Sequence, residues 1–304
     1  MSDTPISAAN RPVAGIFWMA VTGVMFVAVA AVVKHVGDRL PAPQMAFMRY
    51  GLGLVFLIPM IRPMLAAGLT RRQAGLFTAR GAAHSVGVML WFYAMTQITI
   101  AEVTAMNYMA PIYVTLGAAL FLGEGLAFRR IAAVALAFLG AMIILRPGFR
   151  ELSPGHLAML VAAVCLGGSY LLAKLLSGEA SAPVVVGWLS VTVTIGLLPV
   201  ALAVWVPPTL TESAWIFLVA VFATAGHYTM TLAFAAAPVT VTQPVAFLQL
   251  IWAVTMGAVF FGEVLDGWVI LGGTVILGSV SFITWREHVL KRRATTPAVA
   301  ATKV

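Results

Sequence analysis

The stretch Trp91 to Glu124, WFYAMTQITIAEVTAMNYMAPIYVTLGAALFLGE, is written twice in this chain. Its second version closes at Glu263, in LQLIWAVTMGAVFFGE. With Glu124 laid on Glu263 and no gaps, Gly87 falls on Gly226, Ala94 on Ala233, Phe121 on Phe260 and Gly123 on Gly262. Each copy runs on into a further apolar segment with a matching glycine, Gly140 in the first and Gly278 in the second, after a one-residue slip. Apolar sequence often matches itself by chance, so the weight rests on the paired Phe-x-Gly-Glu ends. The chain reads as two related halves.

Composition names the solvent. Of 304 residues, 62% are hydrophobic and 9% charged, with a mean hydropathy of +1.01, whereas usual soluble domains carry about 25% charge. The bilayer is the medium this chain is built for. No polar block is long enough to make a separate soluble domain of about 100 residues. The net charge of +8 lies in short loops and the C-terminal tail, where membrane topology accounts for it, and no nucleic-acid partner is expected. The single cysteine, Cys165, sits inside LAMLVAAVCLGGSYLLAK, which excludes an internal disulfide and a Cys-based metal site. No metal site and no cofactor are expected. The apolar run from Gly15 to Val33 exceeds a signal-peptide core of about 7–15 residues and should stay as a membrane helix.

A spanning helix needs about 20 apolar residues. The candidates are Gly15 to Val33, Gln44 to Ile61, Phe77 to Gln97, Glu102 to Leu122, Ile131 to Leu145, Pro154 to Leu172, Pro183 to Trp205, Ala214 to Ala236, Val239 to Phe261 and Trp268 to Trp285. Lipid offers backbone groups no partner, and the alternation of a barrel strand is absent. The expected fold is therefore all-α and integral to the membrane, with ten transmembrane helices. A tail at 1–14 precedes a five-helix repeat at 15–146, a second repeat fills 154–285, and a basic tail at 286–304 reads as disordered beyond Glu287. The junction RPGFRELS, Arg146 to Ser153, suits a short turn. If the N-terminus is cytoplasmic, the inner segments hold Arg11, Arg62, Arg71, Arg72, Arg80, Arg129, Arg130, Lys174 and the tail cations, and the outer loops only Lys34, Arg39, Arg146 and Arg150. That roughly threefold bias puts both termini in the cytoplasm. Five is odd, so the two copies face opposite ways, the inverted repeat of many secondary transporters.

The doubled pattern of a Pro-Ile in mid-helix, a Leu-Gly-Glu or Phe-Gly-Glu end and a helix finishing near ILRPG resembles the EamA-type branch of the drug/metabolite transporter superfamily, from about Gly15 to Trp285. The resemblance implies ten helices, cytoplasmic termini and a central cavity lined largely by the first, third, fourth, sixth, eighth and ninth. Arg49 in QMAFMRYG, the pair Arg80-Gly81, and Trp91-Phe92-Tyr93-Ala94 are also similar to the S-adenosylmethionine uptake branch. Other members carry amino acids, riboflavin or other metabolites. The second half departs from the pattern in having Leu250 where Pro111 would repeat, with its proline, Pro244, further upstream.

Depth selects the candidate site residues, because a polar group at mid-membrane costs a few kcal/mol unless it meets a partner or a wet cavity. His227 lies past the centre of the eighth helix, with Thr231 one turn on, and is either a neutral packing histidine or a substrate or proton site. The fourth helix carries Thr104, Asn107, Tyr108, Pro111 and Thr115, where Pro111 frees backbone groups; these line a cavity or glue helices together. Gln249, Trp252 and Met256 share a face of the ninth helix, and His84, Trp91 and Met95 share one on the third. These are ordinary packing, or a lining on which a flat solute stacks, with Trp91 and Trp252 the favoured pair. Arg49 and Glu102 fall at similar depth, which allows them to pair. Arg49 either snorkels to water or serves a substrate carboxylate, and Glu102 is either interfacial or a proton carrier. Glu124 and Glu263 end helices and are assigned to turns. The small-residue row Ala133, Ala137 and Ala141 serves internal packing or a homodimer.

No Gly-x-Ser-x-Gly and no His-Glu-x-x-His occurs, so an intramembrane enzyme is disfavoured. The leading reading is a secondary active transporter of the cytoplasmic membrane for an amino-acid-like, S-adenosylmethionine-like or other flat or zwitterionic metabolite. The alternatives are a riboflavin or drug/metabolite carrier of the same superfamily, and a non-transporting receptor or scaffold.

Overall fold

Backbone N–H and C=O groups in lipid have only each other, and nearly every described residue is helical. The computed structural model describes residues 12–110, 112–113, 116, 128–149, 151–177, 179–236 and 245–295. The helices are α1 (Pro12–Val36), α2 (Ala42–Ala66), α3 (Arg71–Gln97), α4 (Ile100–Asn107), α5 (Phe128–Leu145), α6 (Pro154–Ser177), α7 (Ala182–Ala203), α8 (Leu210–Ala236), α9 (Ala246–Phe261) and α10 (Gly267–Thr295). Among the described residues five are long and apolar enough to cross a membrane: α1, α2, α6, α7 and α8. The middle of α2 tightens to a 3-10 helix over Leu54–Met60, where Pro59 removes a backbone donor. Large apolar side chains face outward from helix after helix, with Ile195 63% and Phe260 72% exposed. In water that would be a liability; in lipid it is the expected exterior.

The packing repeats with a period of five helices. α3 packs on α6 as α8 packs on α1, α3 meets α7 as α8 meets α2, and α1 meets α9 as α6 meets α4. The pairs α2–α7, α4–α9 and α5–α10 map onto themselves. The glycines quoted from the sequence sit at these crossings. A Cβ on Gly87 would stand 2.9 Å from Leu166, and one on Gly226 3.3 Å from Met25 and Phe26. The α5–α10 crossing is closer still: a Cβ on Gly140 would stand 2.7 Å from the Gly272 carbonyl oxygen, and one on Gly272 2.5 Å from that of Gly140. Gly140 thus meets Gly272, while Gly278, its match in the sequence, has open space beside it. Ala133, Ala137 and Ala141 are buried on the same helix, so their row serves contact within the chain.

The end of α9 explains the second copy of the Phe-x-Gly-Glu signature. Gly262 adopts φ +62 and stops α9 in the left-handed conformation, its neighbour Glu263 returning an N–H to the Gly257 carbonyl at 3.0 Å. The Glu263 carboxylate then accepts the backbone N–H of Ile100, the first of α4, at 3.1–3.2 Å and pairs with Lys34 at the end of α1. It satisfies an orphan donor that a helix start leaves open, the turn role expected of it. Capping boxes open α3 at Thr70 and α4 at Thr99, and Thr209 and Glu212 exchange the same two bonds at the start of α8.

Ionic clasps join the halves at both faces. Arg72 at the start of α3 pairs with Glu179 after α6, and Glu212 at the start of α8 pairs with Arg39 after α1. The two clasps occupy equivalent places with the signs exchanged. The Arg72 guanidinium holds the Glu179 carboxyl below its ordinary value. Arg146, in the left-handed conformation at φ 45, pairs with Asp266, which also caps α10 through the Trp268 N–H. One expectation fails at the C-terminus: α10 continues to Thr295 through the basic stretch read as disordered. Pro111, Thr115, Phe121, Gly123, Glu124, Arg150 and Pro244 lie outside the described residues, as does the side chain of Thr231.

Candidate functional site

The interior of the bundle holds a polar chain that crosses between the halves. The Tyr50 hydroxyl of α2 and His84 Nε2 of α3 are 2.7 Å apart, and His84 Nδ1 lies 3.1 Å from the Ser169 hydroxyl of α6. All three residues are buried. A neutral imidazole donates from one nitrogen and accepts at the other, so it passes a hydrogen bond from Tyr50 to Ser169 or back. Arg49 lies with its guanidinium carbon 3.8 Å from the centre of the Tyr50 ring. Arg80, one turn before His84, donates Nη1–H to the Val185 carbonyl at 2.9 Å. His227 of α8 stands edge-on to Phe26 at 5.2 Å and within electrostatic reach of Arg49, Arg80 and His84. Two residues further, the hydroxyls of Thr229 and Thr22 meet at 2.9 Å.

A second cluster forms where α4, α9 and α1 converge. Asn107 is half-buried at the end of α4, and the buried Tyr108 after it meets the backbone of Leu250. Leu250 is the residue that replaces a repeated Pro111, so the departure in sequence falls at this contact. Gln249 and Trp252 press on α1 at Gly23, whose absent Cβ would stand 2.8 Å from the Trp252 ring and 3.2 Å from Gln249 Cβ. Trp91 packs half-buried on the same core, edge-on to Phe92 at 6.0 Å, and its buried indole N–H has no acceptor among the described residues. Met95 is fully buried and Met256 half-buried.

At the face where α1 ends, a pocket of about 630 Å³ opens between Lys34, Gln97, Thr99, Glu102, Ser153 and His156, closed on one side by Val264 to Gly267. Its size falls within the range of small-molecule sites, about 300–1,000 Å³. Glu102 sits at its floor, where one carboxylate oxygen accepts from the Thr99 N–H at 2.9 Å and the other lies 3.2 Å from His156 Nε2, both side chains about one-twentieth exposed. The Arg49–Glu102 pair that similar depth allowed does not form, and Glu102 meets His156 instead: equal depth says nothing about which way around its helix a side chain points. Among the described residues no three His, Cys, Asp or Glu side chains are placed to hold a metal ion.

A model of the EamA-like transporter family matches this chain at residues 13–146 and again at 153–285. The chain belongs to the EamA-like transporter family. It is similar to a riboflavin transporter of Rhizobium johnstonii, 32% identical over 96% of this chain and 98% of that protein. It is also similar to a riboflavin transporter of Vibrio cholerae, 28% identical over 95% and 98%. An S-adenosylmethionine uptake transporter of Rickettsia prowazekii is 22% identical over 84% and 86%. In this EamA-like chain, a multi-pass membrane protein of a transporter family, sequence reading missed His156, Tyr50, Ser169 and the pairing of Lys34. His156 looked like the polar start of an apolar helix. Lys34 counted only as a loop charge. A weak signal for Tyr50 existed in its place beside Arg49, at a depth where a polar group needs a partner.

Proposed function

We propose that this protein is a secondary active transporter that moves a flat or zwitterionic metabolite across the cytoplasmic membrane by alternating access. In this reading ten helices cross the membrane as two inverted five-helix repeats, at 15–146 and 154–285, with both termini cytoplasmic. The observation that carries it is the Tyr50–His84–Ser169 chain, which lies deep in the bundle and joins residues of both halves. A site shared across that boundary changes shape when one half rocks on the other. The solute would lie among Trp91, Asn107, Tyr108, His227, Gln249 and Trp252. The pocket above Glu102 would be the outer mouth, and Glu102 or His227 would carry a coupling proton. The named riboflavin and S-adenosylmethionine carriers among its relatives support a flat, polar, heteroaromatic substrate.

Counterflow in proteoliposomes of purified protein tests this, with labelled riboflavin, S-adenosylmethionine and an aromatic amino acid offered separately. Saturable exchange of one of them is expected, reduced about tenfold or more by Trp91→Ala or His227→Ala. Binding without flux for every solute would favour the receptor reading. An alkaline phosphatase fusion after Arg72 is expected to be inactive; activity there would overturn the orientation.

A further inference from the structure

Five carboxylates at the ends of the bundle are committed: Glu179 to Arg72, Glu212 to Arg39, Glu263 to Lys34, Asp266 to Arg146 and Glu102 to His156. In the interior, Arg49 and Arg80 have no carboxylate partner among the described residues. Arg49 is half-buried well inside α2, with its guanidinium over the face of the Tyr50 ring at 3.8 Å. Arg80 is 6% exposed, gives one N–H to the Val185 carbonyl, and keeps a buried Nε–H with no acceptor among the described residues. Tyr50 links them, because its ring carries Arg49 and its hydroxyl bonds to His84, one turn along α3 from Arg80. Both guanidinium charges reach His84 and Tyr170, so they occupy one electrostatic neighbourhood.

Two like charges in one low-dielectric interior repel each other, and Arg80, buried, has lost most of its hydration. A guanidinium cannot shed its proton to escape that cost. What remains is an incoming anion, and the unfilled N–H forks match the planar oxygens of a carboxylate or the tetrahedral oxygens of a phosphate. We propose that Arg49 and Arg80 flank a buried oxyanion site, with Tyr50 as the platform between them, and that the transported solute carries a carboxylate or phosphate group received there. The proposal rests on the transporter reading and sharpens it, since a neutral flavin would leave both charges unmatched. The solute's flat part then lies toward Trp91, two turns beyond His84 on the same face of α3, where another buried N–H lacks an acceptor.

Matched probes that differ in charge test the site by binding, independently of flux. The full chain, purified in detergent, is titrated with riboflavin 5′-phosphate against riboflavin and with N-acetyltryptophan against N-acetyltryptophanamide, following the unfolding midpoint. At least one anion should bind about tenfold or more tighter than its neutral partner; which pair shows it tells phosphate from carboxylate. Arg49→Gln and Arg80→Gln should remove the preference, while Arg49→Lys keeps part of it and guards against a variant that fails to fold. Equal binding within both pairs, no binding of either anion, or a preference that survives both glutamine variants would overturn the proposal. Riboflavin counterflow with no anion preference would leave the transporter standing and remove the oxyanion site. An Arg-dependent anion preference in a protein that exchanges nothing would do the reverse.

Discussion

Where α3 crosses α6, Gly87 lies on Cys165 and Leu166; where α8 crosses α1, Gly226 lies on Met25 and Phe26. Both crossings open at a threonine-capped helix start and both are clasped by an arginine and a glutamate, with the signs exchanged. Their polar contents differ. The first holds His84 in a chain with Ser169 and Tyr50, and the second holds Thr229 against Thr22, with His227 edge-on to Phe26. Close packing depends on backbone separation and survives duplication, and Coulomb attraction does not care which partner is the cation. The copies have parted in their hydrogen-bonding groups.

The largest expected effect comes from filling the two glycines. Gly87→Ala pushes a Cβ against Leu166 and should lower stability by about 1–3 kcal/mol, whereas Gly226→Ala meets 3.3 Å contacts and should be close to neutral, helped by better helix propensity. Unfolding midpoints of the purified variants decide this, and equal costs would break the comparison. Next, His84→Leu strands the Tyr50 and Ser169 hydroxyls and should cost about 1–3 kcal/mol, against about 0.6 kcal/mol for Thr229→Val. A larger loss at Thr229 would place the polar centre in the wrong crossing. The smallest effect belongs to the exposed clasps. Arg72→Glu should slightly destabilise the protein and the double exchange with Glu179→Arg should restore it. Because the Glu179 carboxyl is held below its ordinary value of 4.5, the wild-type clasp contributes in full above that pH and fades as pH falls through its lowered folded value. The double exchange keeps the charge pair with different neighbours, so a midpoint-versus-pH curve identical for wild type and Arg72→Glu would remove the clasp from the account.

Much of the frame was legible because it is written in small residues. Gly87, Gly226 and the second Phe-x-Gly-Glu end, at Gly262 and Glu263, mark close approaches and a helix stop, and each has a local physical cause. The repeat matched Gly278 to Gly140 but could not say which glycine Gly140 meets, because that is set by the crossing angle of a distant helix. Arg49 and Glu102 could be given a depth but not a partner, because depth follows from residue number while the direction of a side chain around the bundle follows from its neighbours. His156 reaches Glu102 across 54 residues of sequence, and a lone histidine at the head of an apolar run carries no sign of that. Helix α3 reads as a span from Phe77 to Gln97, although its arginines, His84 and Ser85 leave it too polar to rank among the five long apolar helices.

Each clasp described above takes one partner from each half, and in most the cation is synthesised first. Lys34 leaves the ribosome 229 residues ahead of Glu263, and at about 5–20 residues per second it waits roughly 10–50 s for its carboxylate. Arg39 and Arg72 wait for shorter intervals, and Glu102 waits for His156. The first half therefore enters the membrane with its charges still hydrated or borrowed by lipid headgroups, and its ends are finished only as the second half arrives.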